Sequence, residues 1–250
     1  MEDKSVGVVQ APVALLHLEH VELESGGGLG HGRRTPVGDD REVHVPPHVE
    51  VDSFHRAIIV ALVVEEARLE PNESGLVPAT EGWFVVNVAD ASWFDHDVFG
   101  ASCELESSAA EFTELGIRIC VLQPGQPNGL YHGEETQEDF LILAGECLLL
   151  VEGEERRLRA WDFFHCPSMT EHIFVGAGEG PCVVLMTGTR RRGRPIFYPV
   201  SELALRHGAG VETETPTPRE AYAASPQVRV ERPAVWEQLP WANAGNAAGA

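Results

Sequence analysis

The sequence predicts an all-β domain, an antiparallel sandwich or barrel of the jelly-roll class, with an irregular N-terminal extension and short C-terminal helices. Two observations predict this class. From residue 82 onward, short runs rich in β-branched and aromatic residues recur at regular spacing. Gly-containing turns, such as PGQPNG at 124–129, separate these runs. Many short strands joined by such turns favour a closed or two-layered antiparallel architecture.

Three segments of the chain differ in character. Residues 1–76 contain the Gly-rich stretch SGGGLGHG and the stretch VHVPPHVEVDSFH, with only short apolar runs between them. We expect an irregular extension that is poorly ordered or not native to the protein. Its histidines show no familiar ligand spacing, which favours an unspecific segment over a second metal site. Residues 77–200 are predicted to form the barrel, and residues 201–250 short helices and a flexible tail.

The first strands precede the candidate site. Residues 82–88, GWFVVNV, are predicted as an entry strand, and residues 99–105 as the strand that crosses to the barrel. The next run, residues 115–122, alternates two sets of side chains on opposite faces: Ile117, Ile119 and Val121 against Arg118 and Cys120.

Two hairpins are predicted after the candidate site. The first joins residues 147–153 through GEE to the run RRLRAWDFFHCP, and the second joins residues 172–176 through AGEGP to CVVLMTG. Four aromatic residues in this part are most simply core, although aromatics at a barrel mouth would also suit an apolar substrate: Trp161, Phe163, Phe164 and Phe174.

The C-terminal segment carries helix signals. Ser201 is predicted to cap a helix over 202–207 that Gly208 ends, and Pro218 to open a short helix through Ala223. Before them, the basic cluster RRRGRP at 190–195 could clamp a carboxylate or phosphate, but a solvated loop is the favoured interpretation.

Composition excludes several classes of partner. The chain has 39 acidic and 18 basic residues, a formal charge of −21, which argues against binding to nucleic acid or to an anionic membrane. The longest apolar run, 57–64, is far shorter than the roughly 20 residues of a membrane helix. Five cysteines without a C-x-x-C pair or a signal peptide predict buried, reduced thiols in a cytoplasmic protein.

The candidate site lies in residues 131–145, YHGEETQEDFLILAG. His132 and Glu134 are two residues apart, so on a strand their side chains share a face, and Glu138 follows four residues later. His172, from a distant strand, could supply a further nitrogen. Imidazole and carboxylate groups that converge are the ligands of a divalent first-row metal. The sequence therefore predicts a metal site inside the barrel.

These residues resemble the first motif of the cupin family, which reads G, five residues, H-x-H, three or four residues, E, six residues, G. His132, Glu134, Glu138 and Gly145 fall on that spacing, with Glu134 in place of the second histidine and Gln126 in place of the leading glycine. The resemblance covers roughly residues 111–190.

The second motif of that family reads G, five residues, P-x-G, two residues, H, three residues, N. Pro167 and His172 match it. Three other positions depart from it: Trp161 and Met169 replace the glycines, and Gly176 replaces the asparagine. The departures bear on the metal more than on the fold.

The resemblance implies a cupin barrel with a divalent metal, iron, manganese, zinc or nickel. Its ligands would be His132 and His172 with one or both of Glu138 and Glu134, and Glu134 is the alternative catalytic base. Two functions stay open: a metal-dependent enzyme of the oxygenase or isomerase type, and a non-catalytic module that binds a small ligand. The expected partner is a small molecule, and a homodimer is one expected assembly.

Overall fold

The computed structural model describes residues 64–191 and 193–242. These residues form thirteen strands, two α-helices and one 3₁₀ helix. They are β1 (Leu69–Pro71), β2 (Leu76–Pro78), β3 (Ser92–His96), β4 (Gly100–Glu104), β5 (Leu115–Leu122), β6 (Gly133–Glu134), β7 (Glu138–Ala144), β8 (Glu146–Val151), β9 (Glu154–Arg159), β10 (Phe163–Cys166), β11 (His172–Ala177), β12 (Cys182–Thr189), β13 (Ile196–Phe197), α1 (Glu202–Arg206), α2 (Pro218–Ala221) and the 3₁₀ helix Trp236–Gln238.

Two antiparallel sheets form the barrel. The larger has the strand order β10-β7-β12-β5-β4-β3, and the smaller has the order β11-β8-β9. Their facing sides enclose one apolar cluster, which includes Leu122, Phe140, Leu149, Phe174 and Val184. Burial of each such side chain contributes roughly 1.5–3 kcal/mol. The prediction of an all-β antiparallel barrel of the jelly-roll class is confirmed.

β5 is buried on both faces, because a second apolar cluster covers the outside of the large sheet. Cys120 and Leu122 belong to the inner cluster, while Ile119 and Val121 belong to the outer one. Trp93 on β3 anchors the outer cluster, and its ring lies against Trp236 and Trp241 of the C-terminal segment. The predicted alternation of β5 therefore separates two cores.

One of the two predicted hairpins is wrong. β8 and β9 form the first hairpin as predicted, but β11 and β12 do not pair with each other. β11 pairs with β8 in the small sheet, and β12 lies between β5 and β7 in the large one. The turn at 178–181 thus carries the chain from one sheet to the other, as a jelly roll requires.

The predicted entry strand over 82–88 is also wrong. Only Trp83 makes a bridge, to Glu66, and its side chain is 51% exposed. The edge of the large sheet beyond β4 is occupied by β3. Val86 and Val88 instead pack on the outer cluster from an irregular segment, so burial rather than strand pairing accounts for their apolar character.

Two of the four aromatic residues predicted as core lie at the surface. Trp161 is 75% exposed and Phe163 is 63% exposed, whereas Phe174 is fully buried and Phe164 packs partly against the inner cluster. Trp161 lies in the turn before β10, and β10 is the edge strand of the large sheet. Alternation along this edge directs Phe163 away from the core.

The remaining predictions concern the termini and the thiols. All five cysteines are free and buried, as expected. Both predicted C-terminal helices form, and the Ser201 side chain accepts a hydrogen bond from the Ala204 backbone N–H. The prediction for residues 1–63 lies outside the described residues, and residues 64–76 contain β1 and the start of β2. No helix among the described residues is long and apolar enough to cross a membrane.

Candidate metal centre

The two histidines from separate motifs are direct neighbours across an antiparallel bridge. The His132 N–H donates to the His172 carbonyl at 3.2 Å, and the His172 N–H donates to the His132 carbonyl at 2.8 Å. Residues paired in this way project their side chains from the same face. The ring centroids are accordingly 5.1 Å apart, and both side chains are almost completely buried.

In both imidazoles, Nδ1 is hydrogen-bonded to a backbone carbonyl, which fixes the orientation of the ring. Nδ1 of His132 lies 2.8 Å from the Leu130 carbonyl oxygen, and Nδ1 of His172 lies 3.1 Å from the Thr170 carbonyl oxygen. A carbonyl can only accept, so we assign the proton of each ring to Nδ1. The Nε2 lone pairs are then available to a cation, as in a metal-bound histidine whose other nitrogen is hydrogen-bonded.

Glu138, the first residue of β7, completes a group of three. Its Oε2 lies 3.4 Å from Nε2 of His172, and the ligand atoms of His132, Glu138 and His172 all lie within 4.8 Å of one another. Oε2 is buried and has no hydrogen-bond partner among the described residues. With the proton on Nδ1, two lone pairs face each other at this contact, an arrangement that a bound cation relieves. Donors bound to one ion lie about 3–4 Å apart, so a modest approach of these three groups would place them around a divalent metal.

Burial sets the charge state of this group. It lowers the pKa of both imidazoles, of His132 and of His172, which keeps them neutral and able to coordinate near neutral pH. Burial and, to a lesser extent, the neighbouring Glu134 carboxylate together raise the pKa of Glu138 to about 7. A metal ion would favour the ionised carboxylate, so metal binding would release a proton.

Glu134, the fourth predicted ligand, lies beside this group but is held by other residues. Its Oε1 accepts a hydrogen bond from the Thr136 hydroxyl at 2.6 Å, and its Oε2 lies 3.0 Å from the Arg194 guanidinium. Both partners of this ion pair are buried, with 6% and 3% of the side chains exposed. The structure therefore brings together three of the four predicted ligands, and Glu134 pairs with Arg194.

Two residues of the site were not found from the sequence. Arg194 belongs to the basic cluster that was interpreted as a solvated loop, and it also donates to Thr136 Oγ1 at 2.6 Å. Tyr198 is fully buried, and its ring centroid lies 5.6 Å from that of His132. Its hydroxyl has no hydrogen-bond partner among the described residues. Burial raises its pKa, as do Tyr222 and the two carboxylates of the site, so the hydroxyl stays protonated as a donor.

The departures from the second cupin motif have local explanations. Trp161 and Met169 keep the positive φ that glycine would adopt, at 76° and 66°, while their side chains extend toward solvent. At Gly176, any Cβ would lie 2.2 Å from the Gln123 carbonyl oxygen, so no asparagine fits there. None of the three departures removes an atom from the candidate site.

These features define a small β-barrel domain with a candidate centre of two histidines and one carboxylate. A family model described as Cupin domain matches residues 118–188, which include all three of these residues. The chain therefore contains a cupin-family domain. No curated protein matches the sequence.

Several solved structures are similar to the chain. A putative sugar phosphate isomerase from Acidithiobacillus ferrooxidans is 24% identical, over 33% of this chain and 55% of that chain, with a TM-score of 0.32. A sugar phosphate isomerase of the cupin superfamily from Silicibacter pomeroyi is 20% identical, over 59% and 90%, with a TM-score of 0.39. A predicted oxalate decarboxylase from Thermotoga maritima is 19% identical, over 43% and 100%, with a TM-score of 0.38. The chain thus spans about half the length of the first of these, and none of them identifies a substrate.

Proposed function

We propose that the protein is a metal-dependent cupin enzyme that acts on a small oxygen-bearing molecule, in the oxygenase or isomerase class. One observation carries this proposal: a ring nitrogen of each histidine and an unpartnered Glu138 carboxylate oxygen converge inside the barrel. Iron, manganese, zinc and nickel all suit a set of two imidazoles and one carboxylate. The bound metal would act as a Lewis acid toward a substrate oxygen.

The protein residues would orient the substrate and hold its protons. The Leu130 and Thr170 carbonyls fix the imidazole rings, so the ligand geometry does not need to rearrange when the metal binds. The unpartnered Tyr198 hydroxyl would donate a hydrogen bond to a substrate oxygen beside His132. The aromatic rings of Phe140 and Phe164, both within 6 Å of the His172 ring by centroid, exclude water from this side.

The second candidate is a non-catalytic module that binds a small ligand. The contacts of the Glu134 carboxylate favour it. Both oxygens of this predicted base already have partners, Thr136 and Arg194. Glu134 would take a proton from substrate, or coordinate the metal, in competition with these two contacts. A binding module needs no such base, so the same metal centre would serve to hold a ligand.

The metal content of the purified full chain tests the proposal. We expect a stoichiometric divalent metal by elemental analysis, and its loss from His132→Ala and from His172→Ala. The matched control is His165→Ala, because His165 is half exposed and its Nδ1 contacts Asp139 at 2.7 Å, outside the cluster. Retention of metal by both cluster variants would reject the proposal.

A second measurement separates the enzyme from the binding module. A thermal-shift screen of the metal-loaded chain against small acids, sugars and phenols should identify a stabilising ligand. Incubation with that ligand should then yield a new product, which mass spectrometry detects. A stabilising ligand recovered unchanged would favour the binding module.

A further inference from the structure

A charged side chain lies on the inner wall of the barrel apart from the metal centre. In the register of the large sheet, Phe140 on β7 is opposite Met186 on β12, and Met186 is opposite Arg118 on β5. Residues directly opposite in neighbouring strands project from the same face. Phe140 and Met186 belong to the inner cluster, so Arg118 also projects into the barrel.

Arg118 has no direct partner in the part of the chain that the structure describes. Its charged neighbours are Glu104, Glu106 and Arg190, but none forms a hydrogen bond or an ion pair with it. Glu106 is instead paired with Arg190. Glu104 is the carboxylate that acts most strongly on Arg118. Arg118 is a partly buried residue, and a guanidinium without hydrogen bonds provides donors for an anionic oxygen group.

Two glycines leave space between this arginine and the metal centre. Gly188 on β12 lies opposite Glu138 on one side and opposite Gly116 on the other. A Cβ at Gly188 would have only atoms of Glu138 as its nearest neighbours, at 3.4 Å or more. Gly116, Gly188 and Glu138 thus form one row across the three strands, next to the row of Arg118. Within this row only Glu138 has a side chain.

The separation suits a small molecule with two functional groups. β12 alone lies between the strands of Glu138 and Arg118, and Arg118 lies two residues along β5 from Gly116, the residue level with Glu138, so the two backbones are about 12 Å apart. Both side chains project into the intervening space and shorten the distance that a ligand must span. One end of the ligand would enter the metal centre while the other reaches the guanidinium.

We propose that Arg118 binds the anionic group of the ligand whose other end enters the metal centre, so that the ligand is a small acid with a second oxygen function. The anionic group is a carboxylate or a phosphate, since the guanidinium fork recognises both. This inference rests on the proposed metal-centre function and adds the class of ligand.

Isothermal titration of the metal-loaded full chain tests this proposal. The probes are the dicarboxylates oxalate, malonate, succinate, glutarate and adipate, with acetate as the short reference. We expect the tightest binding for a dicarboxylate longer than oxalate. Arg118→Gln should weaken that dicarboxylate roughly tenfold or more and leave acetate unchanged, while Arg118→Lys should recover part of the loss. A phosphorylated hydroxy acid of matched length distinguishes phosphate from carboxylate.

Two further variants keep the test decisive. Arg157→Gln is the matched control, because Arg157 is an exposed arginine on β9 that pairs with Glu146, and it should bind the probes as the unmodified chain does. Gly188→Val places a side chain in the open row and should exclude the longer dicarboxylates more than acetate. This second variant leaves Arg118 in place, so it tests the binding space even where Arg118→Gln folds poorly.

The outcomes separate this inference from the proposed function. If the purified chain holds no metal, the proposed function fails, and Arg118-dependent binding of a dicarboxylate to the metal-free chain still supports the anion site. Equal binding by Arg118→Gln and the unmodified chain would overturn the inference. So would a loss of thermal stability without any loss of binding, since Arg118 would then serve only as a counter-ion to Glu104.

Discussion

Glu134 and Glu138 are four residues apart, and both are largely buried beside the same imidazoles, yet their surroundings differ. Glu134 on β6 has an arginine and a hydroxyl as partners, whereas Glu138 on β7 has a buried oxygen without a hydrogen bond. A paired carboxylate is stabilised within the protein, and an unpartnered one needs an added cation or proton. We therefore propose a structural role for the first carboxylate and a ligand role for the second.

The largest effect is expected from breaking the pair at Glu134. Arg194→Met leaves this carboxylate charged and buried without its cation, so the free energy of unfolding should fall by about 3–5 kcal/mol in urea titrations. Glu134→Gln combined with Arg194→Met removes both charges and should restore most of the loss. A single variant as stable as the unmodified chain would contradict the structural role.

Metal affinity should also separate the two carboxylates. Glu138→Gln removes a ligand, and we expect affinity to fall about 100-fold or more in competition titrations with a chelator. Glu134→Gln alters only a neighbour of the ligands, and its loss should be about tenfold, the lower end of the range for such neighbours. Equal losses in the two variants would show that Glu134 also coordinates the metal.

A third carboxylate, that of Glu104 on the inner wall, should make the free energy of unfolding depend on pH. Burial raises the pKa of Glu104 from its ordinary 4.5 to about 7, although Arg118 acts to lower it. The folded chain thus holds a proton that the unfolded chain has released, so the free energy of unfolding falls as pH rises from 4.5 to about 7. Glu104→Gln should remove this fall, a difference of roughly 2 kcal/mol between urea titrations of metal-free protein at about pH 5 and about pH 8. An unchanged pH dependence would contradict the burial of this carboxyl.

The smallest effect concerns the turn that supports Glu134. The Met169 N–H donates to the Glu134 carbonyl at 2.6 Å, and Met169 has a φ of 66°. Met169→Gly relieves roughly 1–2 kcal/mol of strain and adds chain entropy in the unfolded state, so a net gain of about 0.5–1 kcal/mol is expected from thermal unfolding. Ser168→Gly, at a position without positive φ, should instead destabilise the protein.

The spacing of two motifs was sufficient to predict that His132, Glu138 and His172 lie together, because the residues of each motif are close in sequence. Two other residues of the site were not accessible in this way. Arg194 and Tyr198 follow some 60 residues later, and they reach the site only because β13 pairs with β6. No local pattern encodes that pairing.

Local sequence patterns also do not determine which strands pair or which face of a strand points into the barrel. Alternation separated Arg118 from Ile119 correctly, but only the register with β12 shows that the Arg118 face is the inner one. The predicted pairing of β11 with β12 failed because a short Gly-containing turn is compatible with a hairpin and with a change of sheet. Nearest-neighbour reasoning along the chain favours the hairpin, whereas closure of the barrel requires the change of sheet.

The imidazole of His132 is also linked to the far end of the chain. The hydroxyl of Tyr222, which follows α2, accepts a hydrogen bond from the Leu130 N–H at 2.9 Å. The carbonyl of that same leucine accepts from Nδ1 of His132 at 2.8 Å. A protease cut or a stop codon before Tyr222 would spare all three candidate ligands and still loosen the ring that presents one of them. A chain shortened before Tyr222 should therefore bind a metal ion more weakly, although His132, Glu138 and His172 are all retained.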